Sequence, residues 1–147
     1  MNSKNSKNNF SKILFLCVAN SARSQMAEAL AKNILPKTLD IQSAGSRPGS
    51  DVHAMAIQTV IEFNPEISKA RPKSIASLPE HFLDQHCLVI RLCAEEECPL
   101  VSPEVEVRDW SLPDPANPQD EDLSLAFIKT RKLLTEKLHE LKKELTE

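Results

Sequence analysis

Ile13-Leu14-Phe15-Leu16-Cys17 is an unbroken apolar run with no polar face, and it is followed within a few residues by helical spacing. The helical run opens at Ser24, repeats apolar residues at Met26, Ala27, Leu30 and Ile34, and is closed by Pro36. A strand that is apolar on both faces has to be covered on both sides. When such a strand hands over to a helix through a short polar turn, the natural setting is a parallel α/β sheet.

The rest of the chain repeats this alternation. Leu39 to Ala44 predicts a second strand, followed by a turn at Gly45-Ser46-Arg47-Pro48-Gly49. Met55, Ile57, Val60 and Ile61 predict a helix over His53 to Phe63. Arg71-Pro72-Lys73-Ser74 is expected to open a short helix carrying Ile75, Leu78 and Phe82. Cys87 to Leu92 reads as the third buried strand and Val105-Glu106-Val107 as a fourth. Prolines 113, 115 and 118 then mark a long loop. The last helix carries Leu123, Phe127, Leu134, Leu138, Leu141 and Leu145 on one face, with Asp120, Glu121 and Asp122 favouring its N-terminal dipole.

The expected fold is therefore α/β, a four-stranded parallel sheet with helices on both faces. Its ligand site should lie beyond the carboxyl ends of the strands, where the winding reverses. The 147 residues suit one domain, placed at 13–147 behind a disordered polar tail at 1–12.

Composition removes several classes. The chain is 41% apolar and 27% charged, as ordinary globular proteins are. Its longest apolar run, Ile13 to Ala19, falls far short of the roughly 20 residues a membrane-spanning helix needs. The polar stretch MNSKNSKNNFSK leads to the expectation that the chain is not exported, and a net charge of −3 leaves no footprint for nucleic acid. The expectation is a cytoplasmic monomer that engages neither membrane nor nucleic acid.

Chemistry concentrates at Cys17-Val18-Ala19-Asn20-Ser21-Ala22-Arg23-Ser24. A loop between a buried strand and a helix can aim several backbone N–H groups at one point, backed by the helix dipole. A tetrahedral oxyanion fits such a nest of Val18, Ala19, Asn20, Ser21, Ala22 and Arg23. Cys17 would be the nucleophile beneath it, its thiolate stabilised by the same donors. Arg23 can hold two oxyanion oxygens with its planar fork, and Ser24 can hydrogen-bond the thiolate. Asn20 tolerates the left-handed backbone such a loop needs. A nucleotide-binding P-loop is excluded, because GxxxxGK[ST] is absent.

Asp114, between Pro113 and Pro115, is the candidate acid for protonating a departing oxygen. Cys93 ends the third strand and Cys98 follows five residues later, so both should share the rim with Cys17. Cys87, inside the apolar run, reads as an inert core thiol. A zinc site from His81, His86, Cys93 and Cys98 lacks the paired C-x2-C of a ribbon, so no metal is expected. His53 and His139 read as solvated or core-edge residues.

The stretch ILFLCVANSARSQMAEAL resembles the phosphate-binding loop of the low-molecular-weight tyrosine phosphatase superfamily. Ser24-Gln25-Met26-Ala27-Glu28 is similar to its thioredoxin-coupled arsenate reductase branch. The resemblance runs from Lys12 to about Leu145 and takes in Ser43-Ala44-Gly45, Lys73-Ser74-Ile75 and Trp110-Ser111-Leu112-Pro113-Asp114-Pro115-Ala116. Ala19 departs from it where many members carry glycine, and Ala22 where some carry cysteine.

The resemblance implies a three-layer phosphatase-like fold and reduction of arsenate or a similar tetrahedral oxyanion. It implies Cys17, Arg23, Ser24 and Asp114 as catalytic residues and no organic cofactor. It also implies a relay of Cys17, Cys93 and Cys98 re-reduced by thioredoxin, or by glutaredoxin or glutathione. The interval between Cys93 and Cys98 is shorter than in the best-known members. Some relatives bind potassium beside the loop, and Asn20, Glu28, Ser43 and Glu66 fall at corresponding positions. The alternative is a phosphotyrosine phosphatase. Those enzymes commonly carry tyrosines after the Asp-Pro, where this chain has Ala116-Asn117 and no tyrosine anywhere.

Overall fold

The computed structural model describes residues 10–94, 101–118 and 121–146. Strand β1 spans Lys12–Cys17, β2 Asp40–Gly45, β3 Cys87–Arg91 and β4 Glu106–Asp109. Helices α1, α2 and α3 span Arg23–Ile34, Ala54–Val60 and Leu123–Thr146. The four strands form one parallel sheet in the order β2-β1-β3-β4. The chain winds outward from β1 to β2, then crosses back to place β3 on the other side of β1. The reversal point is thus at the carboxyl ends of β1 and β3, where Cys17 and Leu92 end their runs.

Side chains alternate across the sheet, as strand geometry requires. Ile13, Phe15, Leu88 and Ile90 face a core built with Met26, Leu30, Val60, Phe127, Leu134 and Leu138, so α1, α2 and α3 share one face. Leu14, Leu16, Cys87 and Val89 face the other way, onto Ile75, Leu78, Phe82 and Val105. Helical segments cover both faces but unequally, since the second face carries a single 3-10 turn, Ile75–Ser77.

That turn is what remains of the helix expected after Ser74. Pro79 follows Leu78 and holds it extended at ψ 154°, which stops the helix after one turn. Helix α2 is also shorter than its apolar spacing predicts. His53 stands outside it as the cap, its Nδ1 accepting the Met55 N–H at 3.0 Å. Strand β4 falls later than expected, because its register pairs Glu106–Asp109 with Leu88–Arg91. Arg91 then meets Asp109 through two hydrogen bonds, 2.7 and 3.0 Å, which is how an edge strand accommodates its charges. Lys12, assigned to the polar tail, pairs with Asp40 and Cys87 in the sheet, and Phe10 packs against the core. No helix among the described residues is long and apolar enough to cross a membrane.

Candidate active site

Cys17 ends β1 and is 3% exposed. From there the chain must turn into α1 within five residues, and three of the turn's carbonyls are pinned from outside. Arg47 N–H donates to Val18 O, Gly49 N–H to Ala19 O and His53 N–H to Ser21 O, at 2.8–2.9 Å. The peptides are planar and trans, so each pinned carbonyl turns the next N–H the opposite way. That orients the N–H groups of Ala19, Asn20 and Ala22 away from the pinning segment. For Asn20 the target is known: its N–H lies 3.2 Å from Cys17 Sγ. Helix α1 adds its positive end, with no acidic residue in its first turn and no side-chain cap.

Asn20 adopts φ 53°, the left-handed conformation expected of it, and is fully buried. Its Oδ1 accepts from Gln25 Nε2 at 3.0 Å and from the Lys73 N–H at 2.9 Å. Its Nδ2 donates to Ser24 Oγ at 2.8 Å and to Ser43 Oγ at 3.0 Å. An amide nitrogen can only donate, so Ser24 Oγ accepts there and its own hydrogen is directed at Cys17 Sγ, 2.9 Å away. A hydroxyl donor and a backbone N–H therefore converge on the sulfur.

The loop needs Gly45 beside it. A Cβ at that position would stand 2.4 Å from Val18 O and 3.0 Å from Asn20 N, so only a residue without a side chain lets β2 end against the loop.

Arg23, 4% exposed, opens α1 and turns across the strand ends. Its Nη1 donates to Leu112 O at 2.8 Å and to Leu92 O at 3.3 Å. The guanidinium is thereby fixed between the residue before Cys93 and the root of the loop that carries Asp114. Leu112 N–H also donates to Leu92 O, joining those two segments directly. Asp114 is half-buried, and its Oδ1 accepts the Ala116 N–H at 3.0 Å, closing a turn within its own loop. Cys93 is 6% exposed and disulfide-bonded. Cys98 and Asp120 lie outside the described residues.

The contacts therefore join Cys17, Asn20 and Ser24 in one network and set Arg23 against the segments bearing Cys93 and Asp114. The fully buried Cys87 is a different thiol, pushed up to about 12 by the loss of hydration. No group of three or more His, Cys, Asp or Glu that could hold a metal ion occurs among the described residues.

A family model for low molecular weight phosphotyrosine protein phosphatase matches residues 12–147. The chain belongs to that family. It is 38% identical over 106 residues to an arsenate reductase of Staphylococcus xylosus, covering 71% of this chain and 78% of that one. A solved arsenate reductase in the phosphate binding state superposes with TM-score 0.74 at 28% identity, over 92% of this chain and 99% of its own. A thioredoxin-dependent arsenate reductase of Corynebacterium glutamicum superposes with TM-score 0.69 at 26% identity, over 93% of this chain and 62% of that one.

Gln25, Ser43 and Lys73 enter the loop network without having been singled out by residue chemistry. Gln25 and Ser43 lie inside the stretches that carry the family resemblance, which was the available signal. Lys73 also lies in such a stretch, Lys73-Ser74-Ile75, but its main-chain role was not legible there, because a backbone N–H leaves no mark on composition or period. His53 is a cap stacked on Phe127, with ring centroids 4.8 Å apart.

Proposed function

We propose that the chain reduces arsenate to arsenite with electrons from its own thiols. The Cys17 thiolate attacks arsenic, Arg23 and the loop N–H groups hold the oxyanion, and Asp114 protonates the departing oxygen, which leaves as water. The Cys93 thiolate then attacks Cys17 Sγ. A sulfur–sulfur bond forms, the sulfur–arsenic bond breaks, and its electron pair goes to arsenic, which leaves as arsenite. Cys98 attacks Cys93 in turn and restores the Cys17 thiolate. The Cys93–Cys98 disulfide is reduced by thioredoxin, which is itself oxidised.

The observation that carries this reading is the place of Cys93. It follows β3, the strand paired with the one that ends in Cys17, and Arg23 Nη1 donates to the carbonyl just before it. Hydrolysis of a phosphate ester needs no second thiol there. The relatives named arsenate reductase support the same substrate.

The competing reading, hydrolysis of phosphotyrosine, draws on the same Cys17, Arg23, Ser24 and Asp114. Against it stand Ala116 and Asn117 after the Asp-Pro, with no tyrosine in the chain to wall an aromatic slot. The test is purified protein with arsenate, thioredoxin, thioredoxin reductase and NADPH, beside an aryl phosphate. Arsenate-dependent NADPH consumption that requires thioredoxin is expected. Aryl phosphate hydrolysis with no NADPH consumption would assign the chain as a phosphatase.

A further inference from the structure

The Cys17 network does not stop at Asn20. Ser43 Oγ, which accepts from Asn20 Nδ2, donates to Glu28 Oε1 at 2.5 Å. A continuous path thus runs from the nucleophile through Ser24, Asn20 and Ser43 to a carboxylate that is only 13% exposed. A carboxylate this sheltered requires a countercharge. Two ammonium groups supply it: Lys32 Nζ at 2.7 Å, from the next turn of α1, and Lys73 Nζ at 3.6 Å.

Lys73 alone is tied to the network at several points. Its N–H holds Asn20 Oδ1, its carbonyl accepts the Gly45 N–H at 2.9 Å, and its ammonium reaches Glu28.

This arrangement does not fit the potassium ion that the family resemblance implies at Asn20, Glu28, Ser43 and Glu66. A monovalent metal needs oxygen acceptors turned inward. Here Asn20 Oδ1 already accepts from Gln25 and Lys73, and its Nδ2, a donor, is the atom facing Ser43. The Ser43 hydrogen is committed to Glu28, and Glu66 is exposed, its N–H bonded to Asn64 Oδ1. The cleft beside Glu28, about 240 Å³, is lined by Lys32, Lys69, Arg71 and Lys73 against Glu28 and Glu66, so its cations outnumber its carboxylates.

We propose that Lys73 is a positioning residue whose ammonium replaces a metal cation at Glu28, so that the Cys17 network works without potassium. The inference rests on Cys17 as the nucleophile of the proposed function but not on arsenate as the substrate. It is therefore tested on the thiol itself. The rate of Cys17 alkylation by iodoacetamide, located by peptide mass spectrometry, and the melting temperature are compared in potassium chloride and in choline chloride, both at about 0.1 M ionic strength.

The wild-type protein is expected to be indifferent to the choice of salt. Lys73→Met in choline should alkylate about 10-fold more slowly, the scale on which outer partners of a site act, and should recover in potassium. Adding Glu28→Gln to Lys73→Met should remove the potassium response, because the carboxylate that calls for a cation is gone. A potassium-specific acceleration or melting shift in the wild type would overturn the proposal, and this comparison holds even if Lys73→Met fails to fold. A folded Lys73→Met that matches the wild type in both salts, or whose loss potassium does not restore, would also overturn it. Failure of arsenate turnover with these alkylation results intact would count against the substrate only.

Discussion

Replacing Gly45 by alanine should damage the Cys17 loop without removing any side chain that does chemistry. The added Cβ would stand 2.4 Å from Val18 O, and real Cβ atoms essentially never approach closer than 3.0 Å, so backbone must move by at least about 0.6 Å. Val18 O cannot retreat freely, because it accepts the Arg47 N–H at 2.9 Å. The same Cβ also presses on Asn20 N at 3.0 Å, the donor aimed at Cys17 Sγ. A displacement of about 1 Å at a reacting group costs on the order of 10²-fold, and overpacking a tight site costs about 1–3 kcal/mol. Gly45→Ala should therefore lose between about 10- and 100-fold in kcat/KM, with a folded, modestly destabilised protein. Gly49→Ala is the internal control, since its nearest contact would be 3.9 Å, an ordinary separation. Steady-state turnover and thermal melting of the two variants decide it. Equal activity in Gly45→Ala and Gly49→Ala would refute the claim that the loop's placement against β2 sets the site.

Cys17→Ser should abolish turnover, and Arg23→Lys should be nearly as severe, because an ammonium cannot span Leu92 O and Leu112 O while presenting a planar fork. Steady-state rates check both, and near-normal turnover in either would move the active site elsewhere. Asp114→Asn should slow the chemical step by roughly 10²–10⁴-fold if Asp114 is the acid, and unchanged single-turnover kinetics would reassign that role. Cys87 gives a pH prediction. Its thiol is raised from 9.0 to about 12 by burial, so the unfolded chain loses this proton first and stability falls as pH rises between those values. Denaturant midpoints should show the wild type losing about 2 kcal/mol more than Cys87→Val between about pH 8 and about pH 10.5, and parallel losses would show that Cys87 ionises as readily in the folded chain as in the unfolded one.

Period and composition were enough to read the sheet, because β1 and β3 are apolar on both faces and each precedes or follows a helical spacing. The same signals misplaced β4, whose Arg108 and Asp109 look like loop residues until Arg91 on the neighbouring strand is known to meet Asp109. They overextended the segment after Ser74 because Leu78 and Phe82 keep helical spacing through Pro79, and both still reach the core from the irregular chain that follows the 3-10 turn. At the site, Cys17, Asn20, Arg23 and Ser24 are legible because they are close in sequence and their chemistry is local. The contributions of Gly45, Ser43 and Lys73 arise where separate strands and loops meet, at sequence separations of 23 to 53 residues from Asn20 for Ser43 and Lys73. No local pattern encodes such meetings.

The central claim, that a second thiol takes over from Cys17, is tested most directly by assaying Cys93→Ser on two substrates. Cys93 lies outside the network that holds Cys17, so hydrolysis of a small aryl phosphate should persist. Thioredoxin-driven arsenate turnover should vanish, because no internal thiol remains to attack the Cys17 adduct. In the companion Cys98→Ser, one equivalent of arsenite should be released and a Cys17–Cys93 disulfide should accumulate, visible by mass spectrometry of the trapped protein. Sustained thioredoxin-dependent arsenate turnover in Cys93→Ser would contradict the account.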